Sequence, residues 1–190
     1  YFERHDGEAA TVEDFVRCMA DASGRDLTQF FRWYEQAGTP HVKVTTHYDP
    51  KTKTFDLTLA QKTAPTPGQT DKQPMHIPFG LGLVGPAGED MALDLEGVGS
   101  LNTPIIELTE EKKSFRFRNV ATRPVLSLNR GFSAPVILQE EVSPEDQLFL
   151  MGRDKDTFNR WEAGQSLGKR LIISSLKSSD DLSEVMGEIG

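Results

Sequence analysis

The sequence predicts a mainly β fold, in which an antiparallel β-sandwich is flanked by α-helical segments at both ends. Apolar residues recur with helical spacing over residues 1–39, alternate with polar residues over 40–140, and return to helical spacing over 141–190. Clusters of proline, glycine and asparagine interrupt the alternating part, as expected for short strands joined by turns. These changes of period divide the chain into three segments: 1–39, 40–140 and 141–190.

Two short amphipathic helices are predicted at the N-terminal end. Thr11 and Asp14 have the spacing of a capping box, which starts the first helix. Asp26 is placed to cap the second helix, and Gly38 is placed to end it. The two apolar faces comprise Val12, Phe15, Val16 and Met19, then Leu27, Phe30, Phe31 and Tyr34. Two such helices cannot bury these faces against each other alone, so they need a partner surface.

Short strands are predicted between residues 40 and 140. The turn-forming run Asp49–Lys53 joins the first two strands as a hairpin. The long connection Ala64–Pro74 is predicted to be a surface loop that contacts a neighbouring domain. The cysteines and spaced tryptophan of an antibody domain are absent, so the predicted sandwich is Ig-like rather than immunoglobulin. The alternating apolar residues are Val42, Val44, Phe55, Leu57, Leu59, Ile77, Phe79, Leu81, Leu83, Phe115, Phe117, Leu126, Leu128, Val136 and Leu138.

The C-terminal part is predicted to be helical. Ser143 as N-cap, Pro144 at the first helical position and acids in the first turn form a helix start. A second helix is predicted to begin between Asp154 and Asp156. Its apolar residues are Phe158, Trp161, Leu167, Leu171 and Ile172. A further helix is predicted to begin in the run Ser178–Leu182, which has the composition of a capped start.

One motif has the form of a nucleotide-binding site. The run Gly80–Gly85 reads Gly-Leu-Gly-Leu-Val-Gly and matches the dinucleotide-binding fingerprint. That fingerprint works where a strand turns into a helix, whereas Pro86 and Gly88 prevent a helix from starting here in register. Glycine within a strand more often marks a bulge or a close backbone approach. We therefore predict no cofactor at this run.

The sequence predicts no catalytic, metal-binding or substrate-binding residue in this chain. Cys18 lies among apolar neighbours and is interpreted as a buried filler. Arg4, His5 and Asp6 are interpreted as a local polar network with a structural role. The four histidines lack the spacing of zinc ligands, and no H-E-x-x-H motif is present; they are His5, His41, His47 and His76.

Acidic residues offer no clear site either. A solvated strand end is the interpretation of Glu107, Glu110 and Glu111. A paired-carboxylate glycosidase site stays open, although no pair of acids is singled out. The net charge of −8 argues against nucleic-acid binding. No apolar run approaches the ~20 residues of a membrane span. One cysteine excludes an intramolecular disulfide and fits a reducing compartment, so we expect a cytoplasmic location.

Several runs, in the same order along nearly the whole chain, resemble the bacterial aminopeptidase N group of the gluzincin (M1) family. The first four resemble a stretch just downstream of that family's catalytic centre, the next two its third domain, and the last the start of its helical fourth domain. These runs are Tyr1–Gly7, Thr11–Phe15, Phe31–Tyr34, Ala37–Pro40, Lys72–Phe79, Phe132–Val136 and Phe158–Leu167.

The resemblance implies a parent enzyme that removes N-terminal residues from peptides with a bound zinc ion. It assigns 1–39 to the end of a thermolysin-like catalytic domain, 40–140 to an Ig-like spacer and 141–190 to the first helices of a C-terminal helical domain. The family's zinc ligands, glutamate base and oxyanion-stabilising tyrosine all correspond to positions upstream of Tyr1. None carries over to this chain, so the zinc is expected in the parent and not here.

The resemblance also implies the partners, which are the remaining domains of the parent chain and its peptide substrates, with no nucleic acid and no membrane. Two alternatives stay open. One is a stand-alone Ig-like module that binds a protein or a glycan through exposed loops. The other is a complete small enzyme with an unrecognised site. The apolar faces of the flanking helices favour a part of an aminopeptidase over a stand-alone module, since such faces are hard to explain in a free-standing domain.

Overall fold

The computed structural model describes residues 1–187, with side chains described for residues 1–176. The helices in this part of the chain are α1 (Phe2–His5), α2 (Val12–Ser23), α3 (Arg32–Glu35), α4 (Pro144–Arg153) and α5 (Thr157–Gly187). The strands are β1 (His41–Asp49), β2 (Thr54–Lys62), β3 (Ile77–Val84), β4 (Asp94–Leu95), β5 (Gly99–Ser100), β6 (Ile105–Leu108), β7 (Lys112–Arg118), β8 (Val125–Leu128) and β9 (Ile137–Gln139).

The strands form two sheets that enclose one core. The larger sheet has the order β5-β4-β7-β2-β1-β9 and the smaller sheet has the order β6-β3-β8. The predicted hairpin is present, with β1 and β2 paired from His41 and Lys62 to Asp49 and Thr54. Every strand pair is antiparallel except β1 with β9, which lies at the edge of the larger sheet. The predicted antiparallel sandwich is therefore confirmed, with one parallel pair at its edge.

The core lies between the sheets and consists of the alternating strand residues. Burying one such side chain contributes about 1.5–3 kcal/mol relative to leaving it exposed, so this core is the main source of apolar stabilisation. Val136 and Leu138 are only partly buried because β9 is an edge strand. The residues with no exposed surface are Val42, Leu57, Leu59, Met75, Ile77, Phe79, Leu81, Leu83, Leu108 and Phe117.

Three short strands have no counterpart in the prediction. β4 and β5 contain two residues each, which is too short for an alternating pattern to register. β6 reads Ile-Ile-Glu-Leu, so its apolar residues do not alternate strictly. Gly97 adopts a φ of +80° and Gly99 a φ of +93°, as the turn joining β4 to β5 requires.

The prediction of the first N-terminal helix is confirmed, and the prediction of the second is mostly wrong. The Thr11 Oγ1 atom accepts from the Asp14 amide at 3.2 Å, and the Thr11 amide donates to the Asp14 carboxylate at 3.0 Å, which completes the capping box of α2. Asp26 instead accepts from the Thr28 amide at 2.8 Å, which forms a local turn in place of a helix start. Only the four residues of α3 are helical in the second segment.

The C-terminal helices begin as predicted but continue further. Ser143 caps α4 by accepting from the Asp146 amide at 3.0 Å, and Asp156 accepts from the Asn159 amide at 2.8 Å at the start of α5. The prediction of a new helix at 178–182 is wrong, because α5 runs without a break to Gly187. Serine and aspartate are only mildly unfavourable inside a helix, so they do not end one without glycine or proline. No helix among the described residues is long and apolar enough to cross a bilayer.

Candidate functional site: the two junctions of the sandwich

The first junction joins residues 25–38 to the sandwich. The Trp33 side chain packs against the core, and its Nε1 donates to the His76 carbonyl at 2.8 Å. Arg32 donates to the Pro74 carbonyl at 2.5 Å, and Gln29 donates to the same oxygen at 3.2 Å. The sandwich therefore binds this segment through Gln29, Arg32 and Trp33, which are not part of the predicted apolar face.

Glu107 on β6 is the charged centre of the first junction. Arg25 Nη2 donates to both of its carboxylate oxygens, at 2.6 and 2.8 Å, and His76 Nε2 lies 3.0 Å from Oε2. The hydrogen bond from Arg25 is the main reason that the pKa of Glu107 lies below its usual range. Glu107 is partly exposed near the end of β6, as interpreted from the sequence, but it also links the helical segment to the sandwich.

The proline-rich loop 64–74 completes the first junction. Lys72 Nζ donates to the Ala37 carbonyl at 2.9 Å and to Thr66 Oγ1 at 2.6 Å. The Gln69 amide group accepts from the Ala37 amide at 2.8 Å and donates to the Glu35 carbonyl at 2.8 Å. The loop thus binds the end of the N-terminal helical segment, whereas its contact with another domain stays a prediction.

The second junction joins the turn after β8 to the helices. Arg130 Nε donates to Ser127 Oγ at 2.8 Å, and its Nη2 donates to Asp90 at 2.8 Å and to Asp154 at 2.9 Å. Asp90 belongs to the sandwich, whereas Asp154 ends α4 and its side chain is fully buried. Arg130 therefore connects the sandwich to the helical segment directly.

The α4–α5 turn adds further hydrogen bonds to this second junction. Asp156 accepts from the Gly131 amide at 2.8 Å. Asn159 Nδ2 donates to Ser127 Oγ and to the Leu128 carbonyl, both at 2.9 Å. The apolar contact beside these polar groups is small, with Val84, Leu150 and Ala163 as its buried members.

The glycines of β3 make room for the second junction. A Cβ atom at Gly80 would lie 2.9 Å from the Arg130 carbonyl oxygen, and one at Gly82 would overlap the Arg130 guanidinium. The predicted close backbone approach is confirmed at Gly80, whereas Gly82 makes room for a side chain. Gly80 and Gly82 lie inside β3, and no helix follows the run, so the fingerprint's required context is absent.

The N-terminal end of α4 is held by a second arginine. Arg123 Nη2 lies 2.6 Å from the Asp146 carboxylate, and this hydrogen bond is the main reason that the pKa of Asp146 is below its usual range. A cavity of about 270 Å³ beside this pair is lined by Glu140, His47 and Tyr48 among others. Burial, with a smaller contribution from the Asp146 charge, raises the pKa of Glu140 to about 7.

Glu140 predicts a specific pH dependence of stability. Its pKa is about 7 in the folded protein and ordinarily 4.5. Between these values the unfolded chain loses the proton and the folded protein keeps it, so the free energy of unfolding falls as the pH rises from 4.5 through 7. We expect Glu140→Gln to have little effect at pH 4.5 and to stabilise the protein by at most about 3 kcal/mol at pH 8, less what solvent screening removes. Urea unfolding at both pH values measures this difference.

The exposed neighbour Glu141 provides the control for that experiment. Glu141→Gln removes the same charge from the rim of the same cavity. It should leave the pH profile of the wild-type protein in place. A Glu140→Gln protein whose stability still falls between pH 4.5 and 7 by the wild-type amount would show that Glu140 is not the titrating group.

The remaining residues considered from the sequence lie apart from one another. His41 Nδ1 lies 3.2 Å from Gln139 Nε2, and Cys18 is buried in α2. The interpretation of Arg4 as part of a network with its sequence neighbours is wrong, because Arg4 pairs with Asp21 at 2.5 Å. Among the residues whose side chains are described, no three His, Cys, Asp or Glu are grouped to hold a metal ion.

Sequence reasoning missed Arg130 and Asp154 as junction residues. The turn cluster Asn129–Gly131 and the glycines of β3 were both visible, but nothing in the sequence connects them. Asp154 appears in the sequence only as part of a helix start.

Two family models and several known proteins match this chain. Residues 38–141 match the family described as "Domain of unknown function (DUF3458) Ig-like fold", and residues 144–189 match "DUF3458_C", described as ARM repeats. The chain is 45% identical over 167 residues to aminopeptidase N of Escherichia coli, which covers 88% of this chain and 19% of the relative. It is 48% identical over 181 residues to aminopeptidase N of Caulobacter vibrioides, covering 95% and 20%.

A solved aminopeptidase structure is also similar to this chain. The crystal structure of Legionella pneumophila aminopeptidase A in complex with aspartic acid is 33% identical, with a TM-score of 0.75 over 92% of this chain and 19% of that one. The chain therefore spans 19–20% of the length of these relatives.

Proposed function

This chain belongs to the DUF3458 family of Ig-like domains, and we propose that it is the non-catalytic structural part of a zinc-dependent aminopeptidase that removes N-terminal residues from peptides. In this proposal the sandwich is a spacer between a catalytic domain and a C-terminal helical domain. Residues 1–39 end the catalytic domain, 40–140 form the spacer and 141–190 begin the helical domain. The relatives named aminopeptidase N support the parent activity.

One observation carries the proposal. Each end of the sandwich is joined to a helical segment by directed hydrogen bonds from buried or half-buried side chains, with Trp33 at one end and Arg130 at the other. Such bonds fix orientation as well as proximity, because they are lost when either partner rotates. A spacer that sets one domain over another needs this property at both of its ends.

Exposed apolar residues on the flanking helices support the same conclusion. Val12, Phe15 and Met19 are exposed on α2, and Trp161, Leu171 and Ile172 are exposed on α5. In the parent protein these faces would be covered by its other domains, with contacts of roughly 600–1,500 Å² each. A stand-alone binding module gives no reason for them, so the spacer is the better-supported function.

The zinc ion of the parent is proposed to bind outside this chain. The described side chains contain no grouped set of three or more metal-binding residues. We propose that the zinc ligands and the catalytic base lie in the rest of the parent, so no reaction step is assigned to a residue here. The partners are the other domains of the parent and its peptide substrates, and the proposed location is cytoplasmic.

A direct assay tests the catalytic part of this proposal. The purified 190-residue chain is incubated with alanyl and arginyl chromogenic amides and zinc, beside the full-length protein at equal concentration. We expect chelator-sensitive turnover by the full-length protein and none by the chain, whose folded state is checked by circular dichroism. Robust chelator-sensitive cleavage by the folded chain would refute a purely structural role.

A further inference from the structure

We propose that Arg130 is the positioning residue that sets the orientation of helices α4 and α5 on the sandwich. Its predicted effect on peptide hydrolysis rests on the spacer function proposed above, whereas its effect on the helices does not. Four features of the molecule converge on this one side chain. They are the space that receives it, the turn that presents it, the buried acid that it neutralises and the weakness of the alternative attachments.

The space for Arg130 is built into strand β3. Its backbone carbonyl approaches Gly80, and its guanidinium occupies the place where a side chain on residue 82 would lie. Only 16% of the Arg130 side chain is exposed. A long, flexible cation in so confined a place loses most of its freedom, so the position of its head group is well defined.

The turn that presents Arg130 is conformationally unusual. Asn129 has a φ of +60°, Gly131 a φ of +64° and Phe132 a φ of +51°. Positive φ values cost energy for residues other than glycine, and such strain persists only where the surrounding structure enforces it. Here the Asn129 side chain holds the turn, because its Oδ1 accepts from the Ala134 amide at 2.9 Å and its Nδ2 donates to the Ala134 carbonyl at 3.1 Å.

The acid that Arg130 neutralises is fully buried. Asp154 Oδ1 accepts from Arg130 at 2.9 Å and from the Asp156 amide at 3.0 Å. Asp154 Oδ2 is buried and has no hydrogen-bond partner among the described residues. Arg130 is therefore the cation that compensates this carboxylate, and its removal leaves a buried charge at the α4–α5 turn without a counter-ion.

Asp156 and Asn159 also bond the sandwich, but their partners there are uncharged groups. The remaining attachments of α4 and α5 are weaker. Arg123 pairs with Asp146 at the opposite end of α4, but 63% of its side chain is exposed, so solvent screens the pair. The buried apolar contact consists of Val84, Leu150 and Ala163. Neither attachment fixes a rotation of the helices as a bridge from one guanidinium to two carboxylates does.

The test compares three variants of the full-length protein. Arg130→Met removes the cation. Gly82→Ala keeps Arg130 in the sequence but puts a methyl group where its guanidinium lies. Arg123→Met is the matched control at the exposed pair. Hydrogen exchange is followed in residues 144–160, and steady-state kinetics are measured with an alanyl amide. Arg130→Lys is the reserve variant if Arg130→Met does not accumulate as folded protein, since an ammonium group cannot bridge the same three acceptors in one geometry.

We expect Arg130→Met and Gly82→Ala to raise the hydrogen-exchange rate in residues 144–160 by at least about tenfold, because a buried carboxylate loses its partner. We expect Arg123→Met to raise that rate by less than about twofold, because its ion pair is exposed. We also expect KM to rise more than kcat falls, since the helices are displaced and the zinc chemistry is not. Equal exchange in the Arg130 and Arg123 variants would overturn the assignment. Raised exchange with unchanged kinetics would uphold it and refute the spacer function on which the kinetic effect rests.

Discussion

Replacing Phe117 by alanine is expected to lower the free energy of unfolding by roughly 3–5 kcal/mol. Phe117 has no exposed surface and lies on β7 between Phe55 on β2 and Leu95 on β4. Its removal leaves a cavity that the neighbouring strands cannot close, since the sheet holds them at a fixed spacing. Because a domain is stable by only about 5–15 kcal/mol, this loss is a large fraction of the total.

Urea unfolding of the 190-residue chain measures that loss, and Phe2→Ala is its control. Phe2 is 77% exposed, so the same substitution there should change the free energy of unfolding by less than about 0.5 kcal/mol. Equal effects at the two positions would show that the two sheets do not enclose the core described here.

Gln61→Leu is expected to lower the free energy of unfolding by roughly 2–4 kcal/mol, although leucine is apolar and similar in volume to glutamine. Gln61 is buried at the end of β2, and its side chain makes three hydrogen bonds. Nε2 donates to the Met75 and Glu110 carbonyls at 2.8 and 2.9 Å, and Oε1 accepts from the Met75 amide at 2.8 Å. Leucine leaves these backbone groups buried and unpaired, which is more costly than the apolar gain.

Amide exchange at Met75 gives this prediction a local readout. In Gln61→Leu the Met75 amide should exchange faster, together with a lower urea midpoint. Gln139→Leu is the control, because Gln139 is exposed and its side chain bonds His41 at the surface. A Gln61→Leu protein as stable as the wild type, with Met75 still protected, would mean that the glutamine is not needed to close this end of the core.

The long strands could be predicted because their physics is local. In β1, β2 and β7 one face is buried, so apolar residues alternate with polar ones along the strand. In β3 both faces are buried, and the period of two is visible because its apolar residues alternate with proline and glycine. The caps of α2 and α4 are local for the same reason, since Thr11 and Ser143 bond amides three residues away. The strands β4 and β5 have two residues each, so no alternation marks them, and β4 also depends on the distant strand β7.

The junctions could not be predicted because each joins residues far apart in the chain. The glycines of β3 indicate that something approaches the strand, but not that Arg130 does. Glu107 has the sequence context of a surface acid, and only the fold brings Arg25 and His76 to it. The second N-terminal helix was predicted from local spacing, whereas contacts with the distant residues Pro74 and His76 hold this segment in the fold.

The central claim is that the sandwich supports catalysis elsewhere in the parent by holding its neighbours in place. Its most direct test is the kcat/KM of the full-length protein carrying Trp33→Ala, with zinc content measured in parallel and Tyr34→Ala as the control. Tyr34 is 54% exposed and adjacent in sequence, but it lacks the contact with the core. We predict that Trp33→Ala lowers kcat/KM by about tenfold or more at unchanged zinc content, because small misplacements of distant groups are costly in catalysis. Wild-type kcat/KM in a Trp33→Ala protein whose junction is shown by hydrogen exchange to be open would contradict the claim.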